Sequence, residues 1–240
     1  MRPALPLAIL ALCGSLLQAD GLSDLKAALR GLPAPAKVRV KIEAESLERA
    51  SGKDVTEHRS TLVEDGPEGI RILEDSRPAA VPAKVQGKGK GTSKGTGSAK
   101  KGSAEFHDEL RPAEGLLEQL EKARVLEEKV DTYEGRPARR LKLALDLELD
   151  AEARSHLKKA EHEATVWIGQ DGLPLAMIHR IEIKARVMLV ASVWTKIEIR
   201  QRFQRSQNRL LVLDEQAEVQ GAALGKPFSA KDTTRCSVIL

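Results

Sequence analysis

Residues 177–203 read MIHRIEIKARVMLVASVWTKIEIRQRF. The odd positions are mostly apolar, among them Ile181, Ile183, Ala185, Val187, Leu189, Val193, Ile197, Ile199 and Phe203. The even positions carry Arg180, Glu182, Lys184, Arg186, Lys196, Glu198, Arg200 and Arg202. A period of two is the mark of a strand with one face on a core and the other in water. The run is too long for one ordinary strand. It contains no Gly or Pro, so a bend is expected near Val190 to Ser192.

The same pattern recurs on both sides. Downstream, Ser206-Gln207-Asn208 predicts a turn and Arg209 to Val219 a last long strand, with an irregular tail after Gly221. Upstream, Gly169-Gln170-Asp171-Gly172 is a hairpin signal between Ala164–Ile168 and a return strand opened by Leu173-Pro174. Residues 151–162 read as a charged turn or short helix. Before them, 125–133 and 138–149 are predicted strands joined at Glu134-Gly135-Arg136-Pro137, the second with Leu141, Leu143, Leu145, Leu147 and Leu149 on one face. Pro112 opens a helix at its favoured first position. Near the N-terminus, Ser23 is the expected cap of a helix carrying Leu25, Ala28 and Leu29. Strands are expected over 38–44, 55–64 and 70–73.

About nine antiparallel strands and two amphipathic helices point to an α+β fold. The expected architecture is one large curled antiparallel sheet, an unclosed barrel with the helices covering its concave face. A domain layout follows: residues 1–19 as a signal peptide, 20–76 as the first part of a single sheet domain, 77–103 as a basic Gly/Lys linker inserted in it, and 104–240 as the remainder.

The first residues, MRPALPLAILALCGSLLQAD, have a short positive start and an apolar run too short to span a bilayer. Cleavage is expected after Ala19, so the chain is expected to be exported. Leu12 stands where lipoprotein signals need a small residue before the cysteine, so lipid anchoring at Cys13 is not expected. Cys236, fifth from the C-terminus, does not form a prenylation box.

The net charge of +4 is uneven. Between Arg77 and Ser103 lie seven cations (Arg77, Lys84, Lys88, Lys90, Lys94, Lys100 and Lys101) and no acid. Taking these and Arg2 from the total leaves the remainder at −4. With nothing apolar to bury after Val85, the linker is expected to be disordered. Its lysines Lys84, Lys88, Lys90, Lys94, Lys100 and Lys101 are candidates for contact with anionic lipid headgroups or another polyanion.

Catalytic signatures are missing. No H-E-x-x-H, P-loop or dinucleotide fingerprint can be spelled. His156 and His162 are six apart, which on a helix puts them on different faces, so neither a metal site nor a cofactor is expected. Aromatics make up 2% of the chain, too few for the stacking platforms of single-stranded nucleic-acid binding, and no nucleic-acid partner is expected. The chain is read as a non-enzyme.

The motif EATVWIGQDGLPL at 163–175, in its setting of signal, short helix, hairpins, interrupting helix and long strands, resembles the periplasmic lipoprotein-carrier superfamily. That superfamily includes carriers of lipoproteins to the outer membrane and related envelope-stress sensors. The shared residues are Trp167, Ile168, Gly172, Leu173 and Pro174. The resemblance implies an unclosed antiparallel barrel whose helices lid an apolar cavity for acyl chains. The carriers' cavities are rich in aromatics, whereas this chain offers an aliphatic stripe. Ile181, Ile183, Val187, Leu189, Val193 and Ile197 are the candidate lipid-binding residues, with an acyl chain or lipoprotein as partner. The alternative is a periplasmic scaffold or stress sensor that binds a protein through the sheet, without a lipid cavity.

Overall fold

The computed structural model describes residues 20–33, 36–50, 53–76, 105–147, 156–187, 191–206 and 208–239. The signal with Cys13, the 77–103 linker with its lysines, and Leu189 lie outside the described residues.

Ten strands form one antiparallel sheet: β1 (Val38–Ala50), β2 (Lys53–Gly66), β3 (Gly69–Asp75), β4 (Arg124–Tyr133), β5 (Arg136–Ala144), β6 (Leu157–Ile168), β7 (Pro174–Val187), β8 (Ala191–Ser206), β9 (Arg209–Ala223) and β10 (Lys226–Ile239). Their order is β3-β2-β1-β10-β9-β8-β7-β6-β5-β4, so the sheet is unclosed, with β3 and β4 at its edges. Among the described residues three helices accompany it: α1 (Gly21–Arg30), the single turn α2 (His107–Leu110) and α3 (Pro112–Glu121). The α+β sheet read from the sequence is the one observed. No helix among the described residues is long and apolar enough to cross a membrane.

The sheet differs from expectation in several places. The tail after Gly221 is not irregular. It turns at Leu224-Gly225, both at positive φ, and returns as β10 between β9 and β1. Two left-handed residues give the turn the twist that a tight hairpin needs. Gly221 lies opposite Phe228, and a Cβ there would collide with that ring and with the Trp194 carbonyl.

Residues 157–162 are strand, not turn or helix. Register against β7 holds them extended, and Lys159 reaches Glu161 and Glu182, each at 2.8 Å. The long 177–203 run divides into two strands, β7 ending at Val187 and β8 starting at its partner Ala191, so the expected bend is a hairpin. Strand β5 stops at Ala144, short of the predicted 149. The cap of α1 is Asp20, whose carboxylate accepts from Leu22 N–H at 3.1 Å, while Ser23 donates its hydroxyl to that same carboxylate.

Two apolar clusters fill the covered side. In the larger, Leu22, Leu25 and Leu29 of α1 and Leu116 and Leu120 of α3 pack on Leu141, Leu143, Val166, Met177 and Val212. In the smaller, Phe106 and Leu110 pack on Val38, Val40, Ile42, Val63 and Cys236. The β6–β7 turn tucks under α1, where a Cβ on Gly172 (φ +79°) would press on Ala28. This turn, with Leu173 buried and Pro174 opening β7, is formed as its residues predict.

Candidate functional site: an open aliphatic face beside a helix-covered core

The face that packs under the helices continues along β6–β9 beyond them. Pairing aligns Ile181 with Ile197, Ile197 with Val219, Ile183 with Thr195, Ala185 with Val193 and Ile199 with Ala217. Paired residues share a sheet face, so these side chains make one aliphatic surface. Ile181, Ile183, Val193 and Ile197 belong to neither buried cluster and are only half-buried. Four of the six sequence-predicted residues are thus brought together on it. Val187 ends β7 with its backbone paired to Ala191. Leu189 lies outside the described residues.

Two histidines mark the border between covered core and open face. His179 pairs with Ile199 and Ala164, and His162 with Ile181. This diagonal register sets His162 Nε2 3.1 Å from His179 Nδ1. His179 is buried, and desolvation, aided by the charge of His162, lowers it to about 4. Burial lowers His162 as well. Sequence reasoning missed this pair. The signal was present, since both lie on inward positions of strands joined by a recognised hairpin turn, two ladder steps apart.

The opposite face is a charged ladder. Arg180 meets Glu198 at 2.9 Å, and Lys159 and Lys184 meet Glu182, which hydrogen bonds from both lysines pull down to about 2. Arg180, Glu182 and Glu198 line a shallow cleft of about 410 Å³ with Lys196 and Arg200. Within it Arg180 and Arg200 both pair with Glu198, which suits a solvated strand face. Among the described residues, no three His, Cys, Asp or Glu side chains come together to hold a metal ion.

A more apolar pocket of about 390 Å³ opens between the end of α1, α3 and the start of β9. Leu29, Leu32, Leu110, Ala113, Leu117 and Leu210 line it together with Arg30, Arg111 and Arg209. Beside it lies a buried charge network. Asp65, fully buried at the end of β2, accepts from Arg111 Nε at 3.2 Å and Nη2 at 2.8 Å, and from Arg209 Nη1 at 2.7 Å. Burial works against the Asp65 charge, but the Arg111 hydrogen bonds and the Arg209 charge outweigh it and hold the carboxyl below its ordinary value.

No family model matches the sequence. No curated protein matches it either. Among solved structures, a DUF1329 family protein from Desulfovibrio piger aligns with a TM-score of 0.38 and 13% identity over 90% of each chain. MucB, solved in complex with MucA(peri), aligns with a TM-score of 0.20 and 11% identity over 91% of this chain and 93% of that one. The functional reading therefore rests on the molecule's own geometry.

Proposed function

We propose that this chain is an exported, non-catalytic protein of the periplasm that binds a lipid or lipidated protein along its aliphatic face. The observation that carries this reading is the aliphatic surface of Ile181, Ile183, Val193 and Ile197, continuous with the core yet outside the helix-covered clusters. Each methylene laid on such a surface contributes about 0.8 kcal/mol, so an acyl chain gains several kcal/mol without aromatic partners. The linker cations Lys84, Lys88, Lys90, Lys94, Lys100 and Lys101 would add salt-sensitive contact with anionic headgroups.

Binding of a fluorescent diacylated lipopeptide tests the proposal. Wild-type protein should bind it, and Ile197→Asp should weaken binding roughly tenfold or more while leaving the unfolding temperature nearly unchanged, because the position is half-exposed. If Ile197→Asp unfolds the protein, the face is sealed core and the reading fails.

The second reading, a protein partner on the sheet edge, is favoured by β4. Its outer edge is unpaired, and Val130 on it is 90% exposed, with Leu126 also exposed. Val130→Pro would then abolish partner binding and leave lipopeptide binding intact.

A further inference from the structure

Leu224 stands at the apex of the β9–β10 turn with φ +52° and is 71% exposed. A branched apolar residue suits this left-handed position badly, since turns there favour Gly, Asn or Asp. Two other turns of the sheet fill a left-handed position with a polar residue, Glu134 (φ +50°) and Asn208 (φ +65°). Leu224 thus carries backbone strain and apolar exposure together, and burial within the chain offsets neither.

This turn lies at the end of the sheet that the helices leave bare. Helices α1 and α3 pack where β9 begins, around Leu210, and where the β6–β7 turn tucks in beside Ala28. Strand β8 starts at the opposite end, at Ala191, and β9 reaches that end at Ala223. Trp194, 38% exposed, stands there between its ladder partners Lys184 and Ala222.

The charge at this end has one sign. One ladder line joins Ala160, Ile183, Thr195, Gly221 and Phe228. Beyond it the described residues of β6–β10 carry Lys158, Lys159, Lys184, Arg186 and Lys226 and no acid. Lys159 and Lys184 turn back to Glu182, while Lys158, Arg186 and Lys226 are exposed.

We infer that this bare end of the sheet is a docking tip for the surface of a lipid bilayer with anionic headgroups. Leu224 enters the interface, Trp194 lies at headgroup level, and Lys158, Arg186 and Lys226 meet the phosphates. A single protruding leucine with cations around it suits a bilayer, which accepts one side chain anywhere on its surface. A protein partner needs a broad patch with a desolvated centre. The tip is distinct from the aliphatic face and from the β4 edge, and it stands whether or not that face holds a lipid.

Vesicles of phosphatidylethanolamine and phosphatidylglycerol with brominated acyl chains test it on the full chain carrying Trp167→Phe, which leaves Trp194 as the only indole. On vesicle addition Trp194 emission should shift to the blue and be quenched by the bromines. Leu224→Asn relieves the turn, and should weaken partition about tenfold without lowering the unfolding temperature. Arg186→Glu with Lys226→Glu should also weaken it, most at low salt. Absence of vesicle binding, or binding that leaves Trp194 unquenched and is unchanged by Leu224→Asn, overturns the proposal, the latter assigning adsorption to the linker lysines. Self-association that Leu224→Asn abolishes, seen by sedimentation with no partition into vesicles, assigns the tip to a second copy and overturns it too. Ile197→Asp should leave vesicle docking unchanged, so loss of lipopeptide binding in that variant speaks to the aliphatic face and not to the tip.

Discussion

His162 Nε2 and His179 Nδ1 lie 3.1 Å apart, so one nitrogen must donate and the other accept. That is possible only while at least one ring is neutral. His179 is lowered to about 4, so the unfolded chain, with histidines near 6.5, takes up protons first as pH falls. The stability contributed by the neutral pair is full above about 6.5 and is lost as pH falls towards 4. Urea midpoints measured across this window should decline for wild-type protein and decline less for His179→Gln. An equal decline in both would show that the pair is not linked to folding.

Glu109 on α2 has the opposite sign. Burial first, and then the charges of Glu215, Asp108 and Glu105, push its carboxyl up to about 7 from an ordinary 4.5. The folded state holds this proton more tightly than the unfolded chain does. Its contribution is present below the ordinary value and disappears as pH rises through about 7. Glu109→Gln should therefore be more stable than wild type at pH 8, by about 1–2 kcal/mol after discounting for partial exposure. A less stable variant at that pH would contradict this assignment. Between 4.5 and 6.5 the two effects oppose, which flattens the wild-type curve.

Asp65 ties the α2–α3 junction, through Arg111, to the ends of β2 and β9. Asp65→Asn removes the only charge these guanidiniums share and should cost about 3–5 kcal/mol by denaturant unfolding. A cost under about 1 kcal/mol would mean that water screens the network.

Cys236 is a free, buried thiol. Burial first, and then Glu109, Glu215 and Asp214, push it up to about 12. The thiolate is the reactive form, so alkylation by iodoacetamide at pH 8 should be slow in folded protein and fast in urea. Rapid labelling of the native state would show that β10 opens readily.

What the sequence revealed and concealed follows one rule. Strands β5, β7 and β8 and most of β1 alternate cleanly because one side meets apolar neighbours, so their faces are legible without coordinates. Strand β10 hides the same period, since Asp232 and Thr234 take inward positions between Ala230 and Cys236. The start of β6 hides it behind Lys158, Lys159 and Glu161, whose ion pairs suit a strand as well as a turn. The aliphatic face was readable for the first reason. The Asp65 node was not, because its members come from three distant parts of the chain and meet only once the sheet has assembled.

The place of β10 has a consequence in time. Among the described residues, strands β1–β3 join the rest of the sheet through β10, with Arg39 paired to Ile239. During synthesis β1, β2 and β3 emerge early and must wait, with the inner edge of β1 bare, until β10 has been made. Pairings this distant in sequence are slow to form, and a waiting strand edge is open to foreign strands. A chain kept unfolded until β10 has been made would avoid that wait, and β1 and β10 could then zip together in one event.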